Sequence, residues 1–285
     1  MSPSCRLAEF LLFSRILKTK FFTLFLFAAL IACKKPREVR TPFSDTPEQH
    51  AVTAGVIDEA SGIADSYLNP GFLWVLQDSQ NPTTLYLLDH NGQHGKKVFI
   101  KNVTNRDWEE LALADGHLYI GEIGDNNKAY SSYFFYKIAE PAASTDTVTQ
   151  VEKIEFKYPD GSHDAEAFFV EPSTKDIYII TKSDPQARVY KLTYPQFAMN
   201  TAVYVKNLFF GGVTGAACKG KEVLVKTYTN NYYFADGIMG GYITIGYLVE
   251  PQGEAECFAN DGSGFFTLSE RGFASSVTLN FYRRN

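Results

Sequence analysis

Five short segments of small and acidic character recur along the chain: Asp58-Glu59-Ala60-Ser61-Gly62, Asp107-Trp108-Glu109-Glu110-Leu111, Asp164-Ala165-Glu166-Ala167-Phe168, Val213-Thr214-Gly215-Ala216-Ala217 and Gln252-Gly253-Glu254-Ala255-Glu256. Aligned on Ser61, Glu109, Glu166, Gly215 and Glu254, they are separated by 48, 57, 49 and 39 residues. If a repeating fold brings these positions to one axis, Ser61, Glu109, Glu166 and Glu254 share it, with Gly215 or Thr214 completing the ring. Carboxylates so crowded repel one another unless they are protonated, hydrated or neutralised by a cation. Calcium suits such a ring, because it accepts about 6 to 8 oxygen ligands at about 2.3 to 2.6 Å with loose geometry. The alternative is that the same side chains hydrogen-bond exposed backbone amides and hold the repeats together. Glu59 and Glu110, the neighbouring acids, are expected to point elsewhere.

A second set of polar residues follows each unit's next strand: Gln77-Asp78-Ser79, Glu122-Ile123-Gly124-Asp125, Thr181-Lys182-Ser183, Lys226-Thr227-Tyr228 and Ser269-Glu270-Arg271. The first two units offer acids and amides there, the last three Lys182, Lys226 and Arg271. A cation flanked by positive side chains is a site for an anion, with phosphate the commonest candidate. If the site hydrolyses phosphoesters or phosphoanhydrides, Lys182, Lys226 and Arg271 would neutralise developing charge and Asp78 or Glu122 would orient water. No Gly-x-Ser-x-Gly, activated Cys-His pair or phosphate-cradling glycine loop is present. The five histidines are too scattered for zinc.

The elements that must position these groups are strands. With 23 Phe, 17 Tyr, 21 Gly and 12 Pro in 285 residues, the composition favours strands and tight turns. Phe72–Leu76, His117–Ile120, Asp176–Ile180, Glu222–Lys226 and Gly264–Leu268 are β-branched and aromatic runs, several of them entered through Asp-Gly or Lys-Gly turns. Third strands follow in every unit and fourth strands in the first four. A repeat of this length with four short strands predicts an all-β propeller, with five blades and six as the alternative. The fifth unit lacks an outer strand, which Ala51 to Ile57 can supply from the other end of the chain. Asp107-x-x-Glu110 is also a plausible helix capping box, but Asp115-Gly116 would stop such a helix within two turns.

Ahead of the repeats, Lys18 and Lys20 precede the apolar run Phe21 to Ala32, too short to span a bilayer and of signal-peptide length. It ends Leu30-Ile31-Ala32-Cys33, a lipobox-like pattern that makes 1–32 a lipoprotein signal and Cys33 the lipidated residue. Lys34 after the cysteine points to the outer rather than the inner membrane of the cell envelope. The earlier apolar patch Phe10 to Phe13 is unusual in a leader and points to translation starting near Leu17. Residues 33–49 read as a lipidated cysteine and polar tether, and 50–285 as the propeller. The formal charge is −5, and with the basic leader set aside the remainder is more acidic still, which disfavours nucleic acid as a partner. The expected partners are the membrane, through the lipid anchor, and an anionic or phosphate-bearing ligand; the propeller is expected to be monomeric. Cys218 and Cys257 fall on neighbouring inner strands and are expected to be buried free thiols.

The strings Glu-Ala-Ser-Gly-Ile, Asp-Trp-Glu-Glu-Leu-Ala followed by Leu-Tyr-Ile-Gly-Glu-Ile-Gly-Asp-Asn, Asp-Ala-Glu-Ala followed by Ile-Tyr-Ile-Ile-Thr-Lys, and Gly-Glu-Ala resemble a set of secreted bacterial propeller lipoproteins of undefined function. More distantly, the order of the openings is similar to the soluble calcium-activated nucleotidases, five-bladed apyrases with a central calcium. That resemblance implies metal ligands at Ser61, Glu109, Glu166 and Glu254. Thr214-Gly215 departs from it, and the nucleotide-contacting loops have no counterpart here. The sequence therefore supports a surface propeller that binds a ligand or partner around a central calcium, with a calcium-dependent phosphohydrolase as the alternative.

Overall fold

The gradient of polarity within each repeat orders its strands from the axis outward. Inner strands such as Ala60–Asp65 and Ala165–Val170 are buried along their whole length, whereas the outer strand Glu152–Lys157 alternates buried Ile154 and Phe156 with exposed neighbours. A strand buried on both faces reads as a nearly continuous small and apolar run, and one with a wet face reads as an alternation. The computed structural model describes residues 41–285 other than 54, 184, 196–197 and 273–275, so the leader and Cys33 lie outside the described residues.

These residues form a five-bladed β-propeller, with 22 strands and no helix among the described residues. The first blade runs outward through Ala60–Asp65, Phe72–Gln77, Thr84–Asp89 and His94–Ile100. The second comprises Trp108–Ala114, His117–Glu122, Tyr133–Ala139 and Glu152–Lys157, and the third Ala165–Val170, Ile177–Thr181, Arg188–Leu192 and Val203–Asn207. The fourth comprises Val213–Lys219, Glu222–Thr227, Asn231–Phe234 and Ile243–Ile245, and the fifth Ala255–Phe258, Gly264–Leu268 and Thr278–Arg283. Short parallel strands, Thr147–Val148 and Asn200–Thr201, cover the outer edges of the first and second blades. The segment considered as a helix is the strand Trp108–Ala114, closed by Asp115 and Gly116 at φ 52° and 69°. Positive φ at both central residues is the type I′ hairpin turn that Asp-Gly favours.

The ring closes through the N-terminal segment, further upstream than the sequence indicated. Glu48–Ala51 pairs antiparallel with Thr278–Phe281, and Phe43 bridges to Arg284. Val52, Thr53 and Gly55–Ile57 are outside any strand, and Ile57 leads into the first blade. Residues 41–49, read as tether, are therefore part of the propeller. The polar side chains of Glu48 and Gln49 conceal a strand whose role is backbone pairing at an outer edge, and Phe43 is wholly buried.

Five apolar clusters fill the five gaps between neighbouring blades. Trp74, Leu76, Trp108 and Ile120 pack between the first and second blades, and Phe135, Phe156, Phe168 and Ile179 between the second and third. Phe43 joins Leu224, Phe258, Phe265 and Tyr282 between the fourth and fifth. Small residues let the inner strands approach: a Cβ on Gly62 would lie 2.5 Å from Leu111 N, and one on Gly215 2.2 Å from Glu254 O. Cys218 and Cys257 lie on adjacent inner strands as free thiols; Cys257 is buried and Cys218 only half-buried.

Candidate functional site

In four of the five blades a β-bulge at the start of the inner strand decides which way the ring residue points. In four blades the pairing between the first and second strands skips one residue: Ser61, Glu109, Glu166 and Thr214. A bulged residue leaves the ladder and its side chain is re-aimed. In the fifth blade Glu254 occupies the same level, immediately before the strand Ala255–Phe258. The two hydroxyls turn to the next blade, Ser61 Oγ donating to Trp108 O at 2.9 Å and Thr214 Oγ1 to Gly253 O at 3.3 Å. Each accepting carbonyl belongs to the residue just before the next blade's glutamate. The three carboxylates turn inward instead.

Glu109, Glu166 and Glu254 thus converge from the second, third and fifth blades, with one carboxylate oxygen of each within 4.8 Å of the others. They are 4, 3 and 6% exposed and form the floor of a polar cavity of about 320 Å³. Its wall is built by the residues just past the second strands, Asp78, Lys182, Tyr228 and Glu270. Lys182 Nζ meets Glu166 Oε1 at 2.6 Å, and Tyr228 OH donates to Glu254 Oε1 at 2.6 Å. Arg271 stands at the rim, half exposed, 3.4 Å from Asp58. Glu59 also lines the cavity, held by Asn81 Nδ2 at 2.8 Å, contrary to the expectation that it points elsewhere. Glu110 does point elsewhere: it crosses the channel beneath the floor to accept the Ala216 amide at 3.0 Å.

Burial and mutual repulsion push this set of acids upward. Desolvation, then Glu166, Asp78, Asp107 and Glu254, hold Glu109 well above the usual carboxylate range. Burial and Glu254 push Glu166 up to about 8, although Lys182 opposes the shift. Glu270 rises to about 9 and Asp107 to about 6, burial being the first cause in each and neighbouring carboxylates the next. Desolvation works against the charge on Lys182, but Glu166, Tyr228 and Glu254 together hold its ammonium above the ordinary value. A group of acids that would remain partly protonated at neutral pH is one that a cation relieves. The donors are all oxygen, with no sulfur or imidazole, which fits calcium or magnesium rather than zinc.

Of the residues named from sequence, Glu109, Glu166, Glu254, Asp78, Lys182 and Arg271 meet at this cavity, whereas Ser61, Glu122 and Lys226 do not. Ser61 is committed to Trp108 O. Glu122 ends its strand with the side chain turned to the incoming loop, accepting from Thr104 Oγ1 at 3.1 Å and Arg106 N at 3.0 Å. Gln77 does the same one blade earlier, accepting from Asp58 N at 2.8 Å. Lys226 pairs across from Gly215, two residues before the level of Tyr228, and is wholly buried against Glu250 at 3.0 Å. Asp107, Tyr228 and Glu270 belong to the site and were passed over, although each stands in the segments quoted from the sequence. The available signal was depth: in the first, third and fourth blades the first residue past the second strand, Asp78, Lys182 and Tyr228, faces the cavity, and in the fifth the second residue past it, Glu270, does so.

No protein-family model and no curated protein matches this sequence. Among solved structures, the chain is similar to the Dos1 propeller, at 14% identity with a TM-score of 0.40 over 78% of this chain and 57% of that one. It is similar also to hydrazine synthase of Kuenenia stuttgartiensis, at 12% identity and a TM-score of 0.40 over 77% of this chain and 57% of that one. The chain thus spans little more than half the length of either, and the likeness is one of fold.

Proposed function

We propose that this chain is a lipid-anchored propeller of the cell envelope that holds calcium at Glu109, Glu166 and Glu254 and uses the cavity above it to bind an anionic ligand or partner. The observation that carries this reading is the convergence of three almost fully buried carboxylates from three blades, with Lys182 the single cation paired to them among the described residues. Ion pairing and hydrogen bonding within the chain leave most of that charge unbalanced, and a hard divalent ion supplies the balance. Calcium held there would leave coordination positions open to the cavity, and Arg271 at its rim gives an arriving anion a second charge to meet. A binding role is favoured over phosphohydrolysis because Glu122 and Lys226, two of the five groups that hydrolysis would call on, serve elsewhere in the fold. Anchoring through Cys33 places the propeller at the membrane surface.

The test is thermal unfolding of the metal-stripped protein across a calcium series. A ligand that binds only the folded state stabilises it by about 2.7 kcal/mol at a hundredfold excess over Kd. A calcium-dependent rise in Tm that disappears in Glu166→Gln is expected. A flat response in the wild-type protein would return the glutamates to a structural role.

A further inference from the structure

Glu109 belongs to two groups of carboxylates. Besides Glu166 and Glu254, it meets Asp78 and Asp107, one oxygen of each again within 4.8 Å of the others. Asp78 comes from the end of the first blade's second strand and Asp107 from the segment entering the second blade, so this group lies to one side of the first. Glu109 differs from the other buried acids around it. Glu166 has Lys182, Glu254 has Tyr228, Glu110 has two backbone amides and Glu256 has Asn231. Glu109, 4% exposed and bordering the cavity, has no hydrogen-bond or ion-pair partner among the described residues. A buried carboxylate without a donor is costly to keep, and in a native protein it calls for an explanation such as an ion.

The backbone behind it is shaped for close approach. A Cβ on Gly124 would lie 2.2 Å from Glu109 Oε1 and 2.4 Å from Asp107 Oδ2, so any larger residue there would drive the two carboxylates out of position. Charge gives a third argument. The two groups together hold five carboxylates, with Lys182 alone paired to them among the described residues. Fully ionised, they would retain two uncompensated negative charges with one divalent ion bound and none with two, and in a low-dielectric site that difference is large.

The geometry points to a two-cation centre in which the Glu109 carboxylate bridges the axial ion to a second divalent ion held by Asp78 and Asp107. This rests on the calcium reading of the axial site. Carboxylate-bridged pairs sit about 3.5 to 4 Å apart and clamp oxyanions between them, so the ligand class is one that offers two oxygens to two metals, a phosphate or a carboxylate. The second ion also supplies the balancing charge that Lys226 does not bring to this cavity.

Equilibrium dialysis of the full chain in detergent with calcium alone, and electron paramagnetic resonance with manganese as the probe, test the assignment. Two equivalents of calcium per chain are expected, with manganese spectra broadened by coupling between adjacent ions. Asp107→Asn and, independently, Asp78→Asn should each lower the count to one and abolish the coupling, and Gly124→Ala should do the same through its neighbours. One equivalent in the wild-type protein, unchanged in Asp107→Asn, would overturn the second site and leave the axial one standing. No bound calcium at all would overturn both. Two equivalents with no manganese coupling would refute the bridge.

Discussion

In the metal-free protein, stability should fall as pH rises through the neutral range, opposite to the usual behaviour of carboxylates held in salt bridges. Glu109 is held well above the ordinary range by burial and four neighbouring acids, Glu166 is pushed up to about 8 and Glu270 to about 9. An unfolded chain releases the same protons near the ordinary glutamate value of 4.5. Between these limits the folded state holds protons that the unfolded state has lost. Unfolding therefore becomes easier as pH rises, and the difference is complete only above the folded pKa. Each carboxylate that remains protonated in the fold costs about 1.4 kcal/mol per pH unit, or roughly 4 kcal/mol between pH 5 and 8. For a domain of this size that corresponds to a fall in Tm of about 8 to 16 °C. Calcium would displace those protons, so its stabilising effect should be small at pH 5 and grow toward pH 8. Thermal unfolding followed by circular dichroism at three pH values, metal-stripped and with millimolar calcium, measures both slopes. Glu109→Gln removes one of the acids and should flatten the metal-free slope by about one proton. A metal-free Tm that is level or rises from pH 5 to 8 would refute the reasoning.

The residues that sequence brought to the site and structure did not should separate cleanly from those that line it. Lys226→Ala leaves Glu250 without its paired cation in a buried network that also includes Tyr247, Thr267 and Asn280; breaking such a pair costs about 3 to 5 kcal/mol. Denaturant unfolding should show that loss while calcium stoichiometry stays unchanged. Phe43→Ala empties an aromatic position packed against Tyr233 and Phe265, and a loss of about 3 to 5 kcal/mol in the same assay would establish that residues 41–51 latch the ring. A loss under 1 kcal/mol would mean that the ring closes without them.

The blade architecture was legible because it is written in features that survive in a single sequence. Asp115-Gly116 enforces its hairpin by φ alone, and runs such as Phe72–Leu76 and Gly264–Leu268 admit no other element. The closing strand was misplaced because Glu48–Ala51 is exposed or half-buried along its length and carries no apolar alternation to read, its side-chain contacts being polar ones, Gln49 to Asn280 and Glu48 to Arg283. At the site, the level of Glu109, Glu166 and Glu254 could be read from their recurrence. Their orientation could not, because it depends on a bulge. The same bulge turns Ser61 toward Trp108 O, since a short hydroxyl reaches only the neighbouring blade's carbonyl. Lys226 was misassigned for a different reason: a shift of two residues along a strand preserves the face but changes the depth by nearly 7 Å. That distance separates a wall residue such as Tyr228 from a group in the buried layer below.

The use of hydroxyls in two blades and carboxylates in three makes the ring lopsided. Because Ser61 in the first blade is drawn aside to the second, the first blade contributes to the cavity only through residues outside the ladder, Asp58, Glu59 and Asp78. The first and second blades therefore present acids without a lysine, the third supplies Lys182, and Arg271 lies at the edge of the fifth. A ring of five identical glutamates would hold a single ion on the axis and treat every approach alike. This arrangement instead concentrates negative charge beside Glu109, with Lys182 and Arg271 on the two blades that flank the acidic pair of blades. An anion that reaches the site meets Lys182 on one flank and Arg271 on the other. Exchanging the two charges, with Asp78→Lys and Lys182→Glu in one chain, keeps the net charge while removing a carboxylate from the second group. If charge distribution rather than total charge governs the site, the exchanged protein should bind calcium with the axial stoichiometry alone.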